Sequence, residues 1–292
     1  MTGEARSAMA KKAVGTQSTI RKGNRRDIQE EICILPIPGY DHMGAEARKR
    51  PGKGALASPG KDLCKLLLSA AREAGIDFVE RDILVVKHKI VSKAEGATVL
   101  LEEVKPSAGS RRWARRYGLD PRVCELALRE GRRIVRRKHG VLITETRHGF
   151  VCANSGVDVS NVDGGRHAIL LPHDPDRSAS RLRRNLKQRL GLNIAVIISD
   201  SFGRPWREGL TEVAVGVAGM RPIVDYRGQC DPYGYALHAT VEAVADELAC
   251  AAGLVCGKLA GVPACIVRGY SYRRGNGRAR DLIRPAKRDL FR

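Results

Sequence analysis

The run Ala195-Val-Ile-Ile-Ser199 constrains this chain most. Consecutive apolar and β-branched residues over so short a span read as a strand covered on both faces. The run then ends in Ser199-Asp200-Ser201, a carboxylate between two hydroxyls. An unpaired buried carboxylate is costly, so Asp200 must stand at an exposed strand end or meet a cation.

Other segments set the context for that strand. Residues 31–38, the start of 82–96, residues 167–172 and residues 264–269 also read as strands. Residues 141–153 suggest two strands around a polar turn, followed by a Gly/Asp/Ser/Asn loop. Segment 62–75 carries apolar residues at 63, 66, 67, 70 and 71 before Gly75, which predicts an amphipathic helix. Helices are also predicted over 120–138, with Pro121 in the first turn, and over 174–191, between an Asp cap and Gly191. A fourth covers 241–257, with Val241, Val244, Leu248, Ala252 and Val255 on one stripe. Strands and helices mix without strict βαβ alternation, and no repeat is evident. The expected class is α+β, a mixed α/β arrangement, rather than a doubly wound sheet.

Hydrophobic residues make up 43% of the 292, enough for a large core, and no apolar stretch reaches membrane-spanning length. The basic N-terminus lacks a following apolar segment, so no secretory signal is read there and a cytoplasmic location is expected. None of the eight cysteines forms a C-x-x-C pair, which points to reduced, mostly buried thiols rather than a zinc or disulfide framework. The net charge of +20 is local. It concentrates in residues 1–29, in residues 271–292 and in 111–138, where eleven basic residues face three acidic ones. The resulting division is a basic flexible arm (1–29), a catalytic domain (30–270) and a basic C-terminal tail (271–292). Such a field suits a nucleic acid, a phosphate-rich small molecule or plain solvation.

Three polar segments follow apolar strands. The first holds His88, Lys89, Ser92 and Lys93, where lysines can meet phosphate oxygens or simply face solvent. The second, Asp158-Val-Ser160-Asn161, could present a carboxylate and an amide to one ligand, although turn chemistry explains the same residues. The third is Asp200-Ser201, followed by Arg204 and Arg207. Hard cations such as Mg²⁺ take one or two carboxylates together with nucleotide phosphates. If the loops of Asp158 and Asp200 converge, they form such a site, with Ser201 supplying a further oxygen. The sequence has no P-loop, no G-x-G-x-x-G after a strand and no G-x-S-x-G elbow. Nothing near His148 completes a triad, so it reads as structural.

Five blocks together resemble one family. They are DILVVKHKIVSKAEG, TETRHGFVCANSGVDVSNV, LLPHDPDRSASRLRRNL, IISDSFGRPWREG and VADELACAAGLVCGKLAGVPACIVRG. Their order and spacing, across roughly 31–269, resemble the coenzyme F-420-0:L-glutamate ligases, or gamma-glutamyl ligases. The resemblance implies a two-lobed mixed α/β subunit in an intertwined homodimer. It also implies GTP as co-substrate, Mg²⁺ or Mn²⁺, and a helpful K⁺. L-glutamate would be joined to the deazaflavin coenzyme F-420-0, with further glutamates in gamma linkage. Asp158 and Asp200 match the family's metal-binding aspartates, and Ser201 falls where a metal-binding Thr or Ser stands. Asn161 matches a GTP contact. His88, Lys89 and Lys93 fall on the nucleotide block, with His88 where Ser is more usual. The segment Cys256, Gly257, Lys258 through Gly261 to Pro263 matches a nucleotide-binding loop. Lys258 takes a position where some members have a metal-binding Gln. The family's L-P-x-[IV]-R-P-G-D-D-L block is replaced here by GALASPGKDL, after an inserted basic loop. Two other readings stand beside this one: a related acyl-phosphate ligase acting on a different carboxylate, and a basic nucleic-acid-binding protein.

Overall fold

A computed structural model describes residues 31–39, 59–160 and 163–290. In chain order the elements are β1 (Cys33–Ile37), α1 (Leu63–Glu73), β2 (Ile83–Lys87), α2 (His88–Ala94) and β3 (Thr98–Leu100). Then come α3 (Ala108–Tyr117), α4 (Pro121–Glu130), β4 (Gly131–Lys138), β5 (Val141–Thr146), β6 (Val151–Ala153) and β7 (His167–Ile169). The remainder are α5 (Pro175–Leu190), β8 (Ala195–Arg204), β9 (Arg207–Ala218), β10 (Val224–Asp225), β11 (Val241–Glu242), α6 (Val244–Cys256) and β12 (Ala264–Arg268). The class is α+β, as expected.

The main sheet has strand order β1-β12-β2-β8-β9. Only β2 and β8 run parallel; the other pairs are antiparallel. The buried stretches of its central strands, 83–86, 195–198 and 264–267, are apolar throughout because both faces are covered. Leu84, Val86, Val196 and Ile198 pack with Leu67 of α1 and Leu182 and Leu186 of α5. Ile83, Val85, Ala195 and Ile197 point the other way, against Val244, Leu248 and Ala252 of α6. The strand period of two thus sends alternate residues of one apolar run into two separate cores.

A smaller core gathers Leu101, Val104, Leu126, Ala127, Leu142, Val157 and Ala168 beside the three-stranded sheet β4-β5-β6. Here one expected element changes. The helix predicted over 120–138 stops at Glu130, and Gly131–Lys138 is a strand. Asp120 caps its start, accepting from Arg122 N–H at 2.8 Å, and Pro121 fixes its first turn. The ladder to β5, from Gly131 against Thr146 to Lys138 against Val141, then claims the Arg-rich half. Tertiary pairing overrides a local pattern that fits a helix.

The arm at 1–29 lies outside the described residues. The segment expected as a basic C-terminal tail supplies Tyr272 and Ala279, both buried against the α6 face of the main sheet. The thiols are free, with Cys64, Cys124, Cys152, Cys256 and Cys265 buried. No helix among the described residues is long and apolar enough to cross a membrane.

Candidate functional site

Strand β2 runs straight into α2, so Lys87, His88 and Lys89 leave the sheet as three consecutive basic residues. Each faces a different acidic side chain. Lys87 Nζ lies 2.7 Å from Glu212 Oε1 on β9. His88 Nε2 lies 3.3 Å from Asp200 Oδ1 on β8. Lys89 Nζ lies 2.6 Å from Asp158 Oδ2, in the loop before β7. Asp158 and Asp200, 42 positions apart in the chain, therefore reach adjacent residues at one strand-to-helix junction.

Local structure explains how β8 delivers its polar end. The β8–β9 ladder shifts register between Ile198 and Ser199, an irregularity of the β-bulge kind. Bulges re-aim side chains and are common beside functional sites. Past the shift, Ser199 Oγ donates to Glu212 Oε2 at 3.0 Å and Ser201 Oγ donates to Glu212 Oε1 at 2.6 Å. Asp200 Oδ1 accepts from the Ser201 N–H at 2.7 Å. On the other side, the Asp158 backbone exchanges two hydrogen bonds with Ile169, at 3.0 and 2.7 Å. Its Oδ1 accepts the Ser160 N–H at 2.6 Å, and Lys89 Nζ also donates to Ser160 Oγ at 2.8 Å.

Burial pushes the carboxyls of Asp158 and Glu212 upward. The facing lysines and hydroxyls outweigh it, and both are held below their ordinary values. Both side chains are therefore ionised at neutral pH. His88 is buried; its Nδ1 lies 3.4 Å from Ser92 Oγ, while Nε2 has no hydrogen bond and faces Asp200.

The loop after α6 closes the site. Gly257 ends the helix at φ 56°. Lys258 Nζ donates to Ser201 Oγ and stands 3.5 Å from Glu212 Oε1. The Gly261 carbonyl accepts from Gly39 N–H, and Pro263 O accepts from Lys87 N–H, each at 2.9 Å, which ties the loop to β1 and β2. Cys256 points inward, its Sγ 3.0 Å from that of Cys265. Lys93 stands in the last turn of α2, half-buried. Asn161 lies outside the described residues. His148 binds the carbonyls of Pro172 and His173 at 3.0 and 3.1 Å, a structural role.

Among the described residues no group of three or more His, Cys, Asp or Glu side chains forms a ready-made metal cage. The donors at the junction are carboxylate and hydroxyl oxygens. Such donors fit a hard cation that keeps water and completes its shell with phosphate oxygens. Sequence reasoning did not single out Glu212 or Lys87. Glu212 is a buried acid immediately before the apolar strand segment Val213–Ala218, an anomaly akin to the one that drew attention to Asp200.

A sequence model described as "F420-0:Gamma-glutamyl ligase" matches residues 53–269. A protein of Methanothermobacter thermautotrophicus named coenzyme F420:L-glutamate ligase is 50% identical over 240 residues, covering 81% of this chain and 95% of that protein. Proteins of the same name from Methanopyrus kandleri and Methanocaldococcus jannaschii are 46% and 43% identical. These cover 80% and 72% of this chain, and 92% and 84% of the relatives. With that much of its length matched, the chain belongs to the F420-0:gamma-glutamyl ligase family.

Proposed function

We propose that the chain is a GTP- and divalent-metal-dependent ligase. It joins L-glutamate to the deazaflavin coenzyme F420-0 by an amide bond, then adds further glutamates through γ linkages, in coenzyme F420 biosynthesis. Family membership and the shared name of the relatives support the acceptor and the amino acid. The observation that carries the chemistry is the junction where Lys87, His88 and Lys89 meet Glu212, Asp200 and Asp158.

A carboxylate is a poor acyl donor at neutral pH. In the proposed reaction its oxygen attacks the γ-phosphorus of GTP, GDP leaves, and an acyl phosphate results. The glutamate amine then attacks the acyl carbon, phosphate departs and the amine loses a proton. Such transfers depend on positioning and charge stabilisation more than on a protein nucleophile. Asp158, Asp200 and Ser201 would hold Mg²⁺ or Mn²⁺, which would neutralise charge on the transferring phosphoryl group. Lys89 would turn from its present oxygen partners to phosphate oxygens, and Lys258 would face phosphate oxygens from its place beside Ser201 and Glu212. His88, Lys93, Asn161 and the loop Cys256–Gly261 would seat the nucleotide, with K⁺ as a further cation. Water must be kept from the acyl phosphate. The active form is a homodimer of two-lobed subunits in the cytoplasm, with the chemistry within residues 30–270.

The test is incubation with F420-0, L-glutamate, GTP and Mg²⁺ or Mn²⁺, with product masses read over time. Stepwise glutamyl additions that need both GTP and metal are expected. Absence of any addition, or addition without nucleotide, overturns the reading.

A further inference from the structure

Glu212 is built into the site more firmly than either aspartate. Its side chain is 7% exposed, and its two carboxylate oxygens accept from Ser199 at 3.0 Å, from Ser201 at 2.6 Å and from Lys87 at 2.7 Å. Lys258 Nζ approaches the same Oε1 at 3.5 Å. The helix opposite makes room for it. Gly253 lies in the last turn of α6, still within the helix, where glycine costs up to about 1 kcal/mol relative to alanine. A Cβ there would stand 2.5 Å from Glu212 Cγ. The gap in α6 is thus matched to this one side chain.

The charges are graded with depth. The carboxylate is innermost, the Lys87 side chain is 19% exposed and that of Lys258 is 61% exposed. One buried negative charge holds two ammonium groups that stand nearer solvent. Two positive charges would otherwise repel each other and each would prefer water. Ser201, read above as a metal-binding hydroxyl, is oriented by the same carboxylate.

We propose that Glu212 is the positioning residue of the phosphoryl-transfer site. It aligns Lys87 and Lys258 toward one patch of phosphate oxygens, orients the Ser201 hydroxyl beside the metal position, and touches neither nucleotide nor acceptor. Four groups from β2, β8 and the loop after α6 are fixed by one anchor on β9. Preorganised groups of this kind stabilise transition-state charge because they need no rearrangement during reaction. The inference rests on the ligase reading, and its test separates the two.

The test uses Glu212→Gln, Glu212→Asp and Gly253→Ala in the full chain, with Lys258→Met for a double-mutant cycle. Expected for Glu212→Gln is a roughly 100-fold fall in kcat with a KM for GTP within about threefold of the parent. Glu212→Asp should recover part of that loss. Gly253→Ala, which crowds Glu212 without changing the carboxylate, should lower kcat in the same direction. Glu212→Gln and Lys258→Met should combine to less than the product of their separate effects. Lysine-selective ¹⁵N NMR supplies a readout free of turnover. In the parent protein the Lys87 and Lys258 ammonium signals should shift on addition of GTP and Mg²⁺, and Glu212→Gln should abolish that response. Shifted signals in a parent that adds no glutamate would sink the ligase reading and leave the role of Glu212 standing. A folded Glu212→Gln variant with parental kcat overturns the proposal. So do parental lysine signals that ignore GTP. If Glu212→Gln does not fold, a Gly253→Ala variant with parental kcat overturns it.

Discussion

Lys89 Nζ stands 2.6 Å from Asp158 Oδ2, and one residue earlier His88 Nε2 stands 3.3 Å from Asp200 Oδ1. Adjacent residues of one helix start thereby gather acids from two separate parts of the chain. The side-chain contacts of both acids stay local to this junction: Asp200 accepts the Ser201 N–H and faces His88, and Asp158 takes the Lys89 ammonium and the Ser160 N–H. Asp200→Asn and Asp158→Asn should each lower glutamate incorporation by about 100-fold or more, while the thermal midpoint moves by only a few degrees. Steady-state turnover beside a melting curve checks both. A fully active Asp200→Asn variant removes the acid from the proposed metal site.

How much of this could be read beforehand depended on where the partners lie. β2, β8 and β12 are legible because both faces are buried, so the apolar run is continuous in the sequence itself. Asp200 is legible as a carboxylate that no such strand would keep without a reason. Glu212 is not, because its partners Lys87, Ser199, Ser201 and Lys258 come from two strands and a loop that meet only in the folded chain. β9 begins with four exposed residues, Arg207 to Leu210, which hide its apolar second half. In 131–138 the arginines fit a solvated helix face as well as an edge strand, and only pairing with β5 decides between them. The basic composition of 271–290 likewise conceals Tyr272 and Ala279, two residues that pack into the core.

Glu125 ties α3 to α4. It accepts from the Ser107 N–H at 2.9 Å, the Ser110 hydroxyl at 2.7 Å and Arg129 Nε at 3.1 Å. The Ser107 N–H, with help from the two hydroxyls and Arg129, holds its carboxyl down at about 2. A carboxyl lowered in the folded state contributes stability above its ordinary value of 4.5, and that contribution is lost as pH falls toward about 2. The melting temperature of the parent should therefore exceed that of Glu125→Gln at pH 6, and the difference should shrink steadily between about pH 4.5 and 2. A constant difference across that window would remove the ionised Glu125 from the cause.

Arg268 on β12 clasps Asp82 with both ends of its guanidinium, Nε and Nη2 each at 2.9 Å, and Nη2 also reaches Asp77 O at 2.7 Å. Asp82 also accepts the Val79 N–H at 2.9 Å, and it is almost fully buried. Removing one partner of such a pair leaves an uncompensated polar group, so Arg268→Ala should cost about 3 kcal/mol. Replacing Asp82 by Ala in the same background should cost less than it does alone, because the stranded carboxylate is then gone. Urea unfolding of the two single variants and the double variant reads the coupling directly, and additive losses would contradict it.

Two glycines in the α5–β9 region serve different physical ends, and substitution can tell them apart. Gly191 ends α5 in the left-handed region at φ 73°, with its N–H on Lys187 O, and a Cβ there would meet nothing within 4 Å. Its constraint is conformational: alanine should cost about 1 kcal/mol, and asparagine, which tolerates that region, less. Gly216 on β9 has no such backbone demand. A Cβ at that position would collide with the Pro175 carbonyl, where α5 begins against the strand. Its constraint is space, so alanine and asparagine should both cost about 2–3 kcal/mol, with the larger side chain the worse. Ordering the four variants by chemical denaturation tests the distinction. If Gly216→Asn proved milder than Gly216→Ala, close approach of helix and strand would not be what keeps glycine there.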